Sequence, residues 1–340
     1  MKKITILDIA RELNITFSTV ARALNDHPAI SANTKALVRE TAERLGYTRN
    51  KIASSLRSGK TKVIGVIIPR IELSFFSSVI HGIEHVINAN GYTLLLYQSR
   101  ESVKREIKGI ETFLQLQVDG IIASISLETT IYKHFTDLRK QKIPLLLFDR
   151  IIENADIPYV SINDYKGGFM ATEHLIKQGY KNIVIISTNH KISIFQERLK
   201  GSIDALKFYN LPIREDLIFY GNPSREFGES CIRQLYQKGE VFDGIVTPED
   251  YTALGAIQAL KSYGFKVPED VGVIGFANEA FGDYITPRLT TIDQQNIAMG
   301  EQAASLFVKL IKSSDFYAQP IPKVIIDPIL IPRESSVKKD

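Results

Sequence analysis

The chain has 340 residues, of which 42 are Lys or Arg and 38 are Asp or Glu, and this length suits two or three domains with sizeable cores. Hydrophobic residues make up 44% and charged residues 24%, which excludes disordered, collagen-like and coiled-coil proteins. The charge is unevenly placed: residues 1–60 hold 11 basic and 5 acidic side chains, a balance of +6, whereas the rest of the chain balances at −2. This distribution predicts a polyanion-binding head on a nearly neutral body.

The number of cysteines and the hydropathy of the sequence indicate the cellular compartment in which the protein is expected. The single cysteine, Cys231, excludes an intrachain disulfide framework and favours a reducing environment. No apolar run approaches the ~18 residues that a membrane helix needs. The first seven residues resemble the start of a signal peptide, but Asp8, Arg11 and Glu12 interrupt the apolar stretch. We therefore expect a cytoplasmic protein.

Residues 1–46 contain three short helical patterns and no strand pattern. Apolar positions recur at helical spacing after three potential N-caps, Thr5, Thr16 and Ser31, and Gly46 closes the third helix. Two helices joined by a tight turn and supported by a third are typical of a helix-turn-helix domain.

The second helix of such a domain lies in the major groove, with its first residues against base edges. Here those positions are Phe17 and Ser18, with Arg22 one turn later on the same face. Arginine pairs bidentately with guanine, and a phenylalanine ring packs on a thymine methyl group. Hydroxyl and amide side chains nearby suit phosphate contacts, and these are Thr16, Thr19 and Asn25. The alternative is an ordinary surface helix.

From residue 63 onwards, apolar runs alternate with amphipathic helices. The predicted strands are Val63–Pro69, Tyr92–Tyr97, Gly120–Ala123, Pro144–Phe148, Ile183–Ser187, Leu217–Tyr220, Gly244–Val246 and Val271–Phe276. The predicted helices include Ser77–Asn90, Lys166–Gln178, Ile194–Tyr209, Tyr251–Gly264 and Gln295–Lys312. This alternation predicts two similar lobes, each a doubly wound parallel sheet.

Motifs that suggest an enzyme are present but incomplete. His81 and His85 fit the H-x-x-E-H zinc signature, yet no third ligand is identifiable, so they are expected to be partly exposed helical histidines. Residues 59–61 resemble the end of a P-loop, but they precede a strand instead of following one. Asp149 and Arg150 come just after a strand, where α/β sheets bind ligands. Because no nucleophile is paired with a base, we predict neither an enzyme nor a metal or cofactor.

Longer segments resemble the lac repressor (LacI/GalR) family. The head does so through ITILDIARELNITFSTVARALND and ISANTKALVRETAERLGYTRNKIASSLRSG. The body continues in family order with TKVIGVIIP, SFFSSVIHGIEHVINANGY, IPLLLFDR, NDYKGGFMATEHLIKQGY, ERLKGSIDAL, VPEDVGVIGF, PRLTTIDQ and IPRES. The resemblance covers essentially residues 4–335.

The resemblance implies an all-α helix-turn-helix head, a hinge helix, and an α/β two-lobed body like periplasmic sugar-binding proteins. The expected divisions are 1–46 for the head, 47–60 for the hinge and linker, 61–335 for the effector-binding and dimerisation domain, and 336–340 for a tail. The first lobe is expected at about 61–161 and 293–322, and the second at about 162–292 and 323–335. Members are homodimeric, ligand-controlled transcription regulators, so operator DNA, an effector and a second copy are the expected partners.

The family's DNA contacts map onto the head and hinge. Phe17, Ser18 and Arg22 match its base-reading positions, although Ala21 replaces the serine usual before that arginine. Leu56 matches the residue that wedges into the minor groove. It lies on the expected hinge helix, residues 50–57, which is too short to be stable alone. This helix is expected to form only against DNA and the hinge helix of the dimer partner. The full expected set is Thr5, Thr16, Phe17, Ser18, Thr19, Arg22, Asn25, Ser31, Thr34, Asn50, Ala53, Leu56 and Arg57.

The family's effector lies between the lobes. The matching positions here are Phe75, Phe76, Asp149, Arg198, Glu249, Asp250 and Asn278, and both phenylalanines have core packing as an alternative. Three positions depart from the family: Glu249 replaces a common asparagine, Ala277–Asn278 replaces an aspartate pair, and Pro223 replaces an aromatic residue. These departures leave the ligand open, with a carbohydrate favoured and a purine-like co-repressor as the alternative.

The expected mechanism couples the two parts of the chain. Effector binding biases the orientation of the lobes, which sets the spacing of the paired hinge helices and hence DNA affinity; an inducer and a co-repressor both fit this scheme. A periplasmic solute-binding protein would explain only the body. An enzyme acting on a sugar or nucleotide would explain neither the head nor the missing catalytic residues.

Overall fold

The computed structural model describes residues 4–47 and 60–338, and the chain divides into two compact units between residues 61 and 62. The expected hinge helix, with Asn50, Ala53, Leu56 and Arg57, lies outside the described residues. None of the helices within the described ranges is long and apolar enough to cross a membrane.

The head is a three-helix unit. It consists of α1 (Ile6–Glu12), α2 (Phe17–Leu24) and α3 (Ala32–Arg44). Asn14, in the turn between α1 and α2, has a φ of 52°, a left-handed conformation that asparagine tolerates better than most residues. Apolar side chains from all three helices form one small core: Ile9, Ala10, Val20, Ala23, Val38 and Ala42. These contacts confirm the three-helix prediction.

The body contains two parallel sheets flanked by helices. Its strands are β1 (Val63–Ile68), β2 (Thr93–Gln98), β3 (Gly120–Ala123), β4 (Leu145–Phe148), β5 (Tyr159–Ile162), β6 (Ile183–Thr188), β7 (Ile218–Gly221), β8 (Gly244–Val246), β9 (Gly272–Ile274), β10 (Thr291–Asp293), β11 (Lys323–Ile326) and β12 (Ile329–Ile331). Its helices are α4 (Ser74–Ala89), α5 (Val103–Gln115), α6 (Lys133–Lys140), α7 (Asp164–Lys177), α8 (Ser193–Phe208), α9 (Arg225–Lys238), α10 (Asp250–Ser262) and α11 (Asn296–Ile311).

Each lobe is built on one of the parallel sheets. The first has the strand order β11-β5-β4-β3-β1-β2, and the second has the order β7-β6-β8-β9. The inner strands are buried on both sides, as β3 and β4 show by having all four of their residues buried, which is why they read as continuous apolar runs. All eight predicted strands are present, and the family-like α/β architecture is confirmed.

Near its carboxyl end, the chain crosses from the first lobe to the second at a later position than predicted. Residues 323–335 were assigned to the second lobe, but β11 pairs in parallel with β5, with Lys323 opposite Tyr159, and so completes the sheet of the first lobe. The crossing comes later, where β12 pairs antiparallel with β10. The reason is that an edge position on the first sheet is open beside β5, and an apolar strand satisfies its hydrogen bonds there.

The predicted boundary at residue 336, where a polar tail was expected to begin, is also wrong. Ser335 and Ser336 are fully buried. The Ser335 hydroxyl donates to the Val273 carbonyl over 2.6 Å, and Ser336 Oγ lies 2.7 Å from His174 Nε2. Small hydroxyl side chains can be buried when each finds a partner, and hydrophobicity alone does not show this.

Candidate functional site

The exposed face of α2 carries the residues expected to read DNA. Val20 and Ala23 are buried in the core of the head, whereas Phe17, Ser18 and Arg22 are exposed. Phe17 is 59% exposed, which is unusual for a phenylalanine in a domain this small and leaves its ring without a core role. The three side chains therefore lie on the solvent face of the helix, as the sequence predicts.

Arg22 also differs from the other arginines of the head in its partners. Arg11 pairs with Asp8 at 3.4 Å, Arg39 pairs with Asp26, and Arg44 pairs with Glu12. The Arg22 guanidinium, by contrast, has no hydrogen bond or ion pair with any residue in 4–47 or 60–338, although the Arg22 backbone carbonyl accepts from Asn25 N and His27 N within the fold of the head. A guanidinium that is not neutralised within its own domain is available for an external acceptor.

The hydroxyl and amide residues of the expected set cap the helices of the head. Thr16 Oγ1 accepts from Thr19 N over 3.1 Å, and Ser31 Oγ accepts from Thr34 N over 3.2 Å. Thr5 donates its hydroxyl to Asp8 in a capping box, and the Asn25 amide donates to the Ala21 carbonyl. These contacts fix the ends of α1, α2 and α3, and a phosphate role for the same residues stays a prediction.

A cleft of about 380 Å³ lies between the two lobes of the body. Its lining comes from strand ends and helix starts of both lobes, the place where α/β sheets bind ligands. Five of the seven predicted effector residues line it: Phe75, Phe76, Asp149, Arg198 and Glu249. Pro223, the predicted departure from the family pattern, is on the same wall.

Phe75 and Phe76 belong to the cleft wall and to the core at the same time. Their rings meet edge to face with centroids 4.9 Å apart, and Phe76 packs in turn on Phe148 of β4. Phe75 is 4% exposed and Phe76 is 1% exposed. The core packing given as the alternative for this pair is therefore present, and each ring also contributes to the surface of the cleft. A contact between these rings and an effector stays a prediction.

Asp149 and Arg150 lie together on the wall of the first lobe. Burial raises the pKa of the Asp149 carboxyl, and the guanidinium groups of Arg150 and Arg198 oppose this. Arg150 donates to Glu101 over 2.8 Å and to the Ile125 carbonyl over 3.2 Å. Its Nε is buried, has no hydrogen-bond partner among the described residues, and is 3.8 Å from Asp149 Oδ2. This leaves one buried donor next to a buried acceptor at the cleft.

Arg198, on α8, is held by the second lobe and by the segment that connects the lobes. Its guanidinium donates to Asp164 over 2.7 Å, to the Pro248 carbonyl over 2.9 Å and to Gln294 over 3.0 Å. It also lies 3.6 Å from the centroid of the Phe276 ring, in cation–π geometry. Burial raises the pKa of the Asp164 carboxyl to about 7, against the effect of Arg198. Contacts within the protein alone therefore hold the Arg198 guanidinium in place.

Glu249 and Asp250 begin α10 and have different roles. Glu249 is the N-cap and accepts from Thr252 N over 2.7 Å and from Tyr251 N over 2.9 Å; burial raises its pKa. Asp250 is fully buried behind the wall, where it accepts from Glu279 N and from Thr291 Oγ1, each over 2.7 Å. The structure therefore places Asp250 outside the cleft lining, as the support of a loop.

Asn278 is the second predicted effector residue that does not line the cleft. Its side chain accepts from Arg333 over 2.9 Å and donates to Asp293 over 3.1 Å. The backbone explains this direction, because Ala277 and Asn278 both have positive φ angles and the chain turns sharply after β9. The side chain of Ala277 is left at the cleft where we expected a polar one.

Several lining residues were not predicted. The most informative are Glu101, Glu279 and Gln294, all polar and at the cleft. Arg150, noted with Asp149 for its position after a strand but not included in the effector set, lines the cleft as well. Glu101 and Arg150 each follow the carboxyl end of a strand of the first sheet, β2 and β4, and that position was a usable signal. Glu279 lies in the loop that follows the carboxyl end of β9, so the same signal was available for it. Gln294 has no such signal, because it does not follow a strand of either parallel sheet.

Metal chemistry finds no support in the part of the chain that the structure describes. No group of three or more His, Cys, Asp or Glu residues is arranged there to hold a metal ion. His81 and His85 are exposed on α4, as expected for surface histidines. Cys231 is buried, and burial raises the pKa of its thiol to about 12, which makes it unreactive.

Comparisons with known proteins agree with this architecture. The model of the family described as periplasmic binding proteins and sugar binding domain of LacI family matches residues 61–334. The model described as bacterial regulatory proteins, lacI family, matches residues 5–50. The chain belongs to the LacI family.

Relatives and solved structures extend the match over the whole length. Catabolite control protein A from Priestia megaterium is 33% identical over 90% of this chain and 92% of its own. A LacI family transcriptional regulator from Enterococcus faecium, solved with bound ribose, is 25% identical, covers 82% of this chain and 100% of its own, and has a TM-score of 0.70. The lac repressor dimer bound to operator and the anti-inducer ONPF is 21% identical, covers 99% of this chain and 100% of its own, and has a TM-score of 0.88, which shows the shared fold.

These findings assign the general function. Like the relatives that it matches, this LacI-family protein is a transcriptional regulator that combines a DNA-binding head with a body of the sugar-binding type.

Proposed function

We propose that this LacI-family regulator acts as a homodimeric repressor of carbohydrate-metabolism genes, reading an operator with α2 and binding a sugar between its lobes. The observation that carries the proposal is the pairing of two sites in one chain. One is an exposed helix face with an unneutralised Arg22, and the other is a cleft with aromatic and carboxylate walls. The head gives the chain its DNA target, and the body gives it a small-molecule input.

The chemistry of the cleft favours a polyhydroxylated ligand. Asp149 and Glu249 offer carboxylate acceptors, Arg150 and Arg198 offer donors, and the phenylalanines offer flat apolar surface. Sugars present hydroxyl groups around their edge and apolar C–H groups on their faces, which match this combination. The description of the matching family as a sugar binding domain and the ribose bound to the Enterococcus faecium regulator support the same class.

The same proposal makes the chain a binding protein that acts inside the cell, where its operator is. The cleft holds carboxylates and arginines that already bind one another or cap helices, and no nucleophile is paired with a base in it. Binding and release of the effector, without chemical conversion, account for its contents. The residues expected to act on DNA from 47–60 remain part of the proposal, on the basis of sequence alone.

The proposal is tested with DNA from upstream of the protein's own gene. Fluorescence anisotropy measures binding of the full chain to this DNA and to random DNA, with and without a panel of neutral pentoses, hexoses and disaccharides. We expect preference for one palindromic upstream fragment, and a change of at least tenfold in its Kd with one sugar of the panel. In Asp149→Asn, which removes a cleft carboxylate, the sugar effect should be lost while DNA binding is retained.

Asp137→Asn is the matched control, because Asp137 is a partly exposed residue of α6 that does not line the cleft and whose ion pairs, among the described residues, are with lysines. It should behave like the unaltered chain in both assays. If no upstream fragment is preferred over random DNA, the operator-reading role is refuted. If operator binding is found but no sugar changes it, the carbohydrate class is refuted.

A further inference from the structure

Helix α4 starts at the cleft without a cap from its own segment. The residue before its first turn is Leu73, which has no side-chain acceptor, and the first turn holds no acidic residue. The first N–H groups of a helix have no partner within the helix, and the helix dipole favours a negative charge beside them. The first turn of α4 therefore needs an acceptor from elsewhere in the molecule.

The acceptor is Glu279, which comes from the other lobe. Its Oε2 accepts from the Ser74 backbone N–H over 2.8 Å and from the Ser74 hydroxyl over 2.6 Å, and its Oε1 accepts from Phe75 N–H over 3.2 Å. Glu279 follows β9 in the second sheet, whereas α4 follows β1 in the first. One carboxylate thus makes three charge-assisted hydrogen bonds across the cleft.

The loop that carries Glu279 is itself fixed. Asp250, fully buried at the start of α10, accepts from Glu279 N–H over 2.7 Å. A Cβ on Gly275 would be 2.0 Å from Asp250 Oδ1, so only glycine at 275 admits this carboxylate. The Ser74 hydroxyl also accepts from Ala280 N–H over 3.1 Å, which closes a two-way contact between the lobes. Glu279 is only 5% exposed.

We propose that Glu279 is a positioning residue that clasps the two lobes at the edge of the cleft by capping α4. Glu279 and Phe75 both line the cleft, so separating the lobes at this edge breaks the three hydrogen bonds and exchanges them for hydrogen bonds to water. Asp250 acts through Glu279 by holding its backbone. The contact between the lobes is a property of the body alone. Only the idea that this contact opens and closes as an effector enters and leaves the cleft rests on the proposed function.

Hydrogen exchange tests the clasp directly, because the amides of Ser74 and Phe75 are the donors. In the full chain, Glu279→Ala should raise the exchange rate of the peptide that contains residues 74–76 by about tenfold. Residues 277–283, which carry the clasp on the other lobe, should exchange faster as well. Small-angle X-ray scattering should show a more open particle. Glu279→Gln keeps one acceptor and loses the charge, so its exchange rate should fall between those of Glu279→Ala and the unaltered chain.

Acetate provides a rescue experiment. A free carboxylate can occupy the space that Glu279→Ala vacates, so sodium acetate should restore protection of residues 74–76, and sodium chloride at the same concentration should not. Glu128→Ala is the matched control, since Glu128 accepts from Val103 N at the start of α5 within a single lobe. It should speed exchange near residue 103 and leave both residues 74–76 and the scattering profile unchanged.

Three results would overturn the proposal. The first is unchanged exchange of residues 74–76 in Glu279→Ala. The second is faster exchange confined to those residues with an unaltered scattering profile, which would make Glu279 a local cap. The third is equal rescue by acetate and chloride. None of these measurements uses DNA or sugar, so failure of the clasp and failure of the proposed function are distinguishable.

Discussion

The charge of the Arg22 side chain is not neutralised by any carboxylate of the described head, which supports the base-reading role proposed for it. The other three arginines of the described head are each paired with a carboxylate, and their loss would remove little more than surface electrostatics. Arg22 is exposed on α2 beside Phe17 and Ser18. A bidentate contact to guanine is worth ~1–3 kcal/mol of discrimination between bases.

We therefore expect Arg22→Ala to weaken operator binding by about 1–3 kcal/mol and to weaken binding to random DNA much less. Arg11→Ala is the control, because Arg11 is exposed in the same unit but paired with Asp8. Anisotropy titrations on operator and random DNA measure both affinities. Equal losses on the two DNAs would show that Arg22 contacts phosphate.

His174 makes the stability of the body depend on pH. Burial lowers the pKa of His174, whose Nε2 is 2.7 Å from Ser336 Oγ. The unfolded chain then takes up a proton near pH 6.5 while the folded chain does not, so the contribution of this histidine to stability is present above pH 6.5 and is lost as the pH falls.

In urea unfolding between pH 8 and pH 5, the unaltered chain should lose stability relative to His174→Gln as the pH falls. Ser336→Ala should lower stability at every pH but keep the histidine's pH dependence, because it removes the hydrogen bond and leaves the titrating ring. Parallel curves for the unaltered chain and His174→Gln would contradict the assignment.

Residue identities within the cleft could be predicted only in part. Phe75, Asp149 and Arg198, which the family resemblance assigned to the effector site, line the cleft. Only Asp149 was also marked by its own position, just after a buried strand. Asp250 and Asn278 were misplaced because sequence does not show which of two adjacent polar side chains faces the ligand. That choice is made by backbone direction, as the positive φ of Asn278 shows.

At the scale of elements, helix pairs with backbone contact hold the cleft residues in position. A Cβ on Gly201 of α8 would lie 2.0 Å from the Tyr165 carbonyl oxygen of α7, and a Cβ on Gly168 of α7 would lie 2.0 Å from the Arg198 carbonyl oxygen. The two helices therefore approach closely enough for glycine alone at these points. This packing sets the register between Asp164 and Arg198, which form the buried ion pair at the cleft.

We expect Gly201→Ala to destabilise the body by about 1–3 kcal/mol, because the methyl group forces α7 and α8 apart. Calorimetric unfolding measures the loss. Gly282→Ala is a suitable control, since a Cβ there would meet its nearest atom at 3.5 Å, an ordinary contact. A Gly201→Ala variant as stable as Gly282→Ala would show that the two helices can separate without cost.

The sequence predicts the positions of strands that are buried on both faces, but it does not predict which sheet a partly exposed edge strand joins. The inner strands β1, β3 and β4 are apolar throughout and were read directly from the sequence. β11 was assigned to the wrong lobe because its four residues indicate a strand but carry no information about which sheet it joins. Only its pairing with β5, which requires the assembled first lobe, decides that.

The basic charge of the chain is concentrated in the part that contains the DNA-binding head, and the effector-binding body is nearly neutral. The head and linker carry a balance of +6 over residues 1–60, and the remaining residues carry −2. A nearly neutral body adds little attraction to DNA, so the electrostatic part of binding should come from the first 60 residues. Each phosphate that the protein neutralises releases counterions, and this makes affinity depend on salt.

The concentration of basic charge in the first 60 residues determines how DNA affinity should vary with salt. A plot of log K against log salt concentration should be linear, with a slope of roughly −0.9 for each phosphate contacted. Lys207→Ala, in the body, should leave the slope unchanged, and so should Arg22→Ala, because a base contact lowers K without releasing a phosphate counterion. We expect the Lys35 ammonium group, in the head, to contact phosphate, so Lys35→Ala should make the slope shallower by about 1. A slope that responds to Lys207→Ala would show that the body contributes to DNA binding, and the separation of roles between the two units would be wrong.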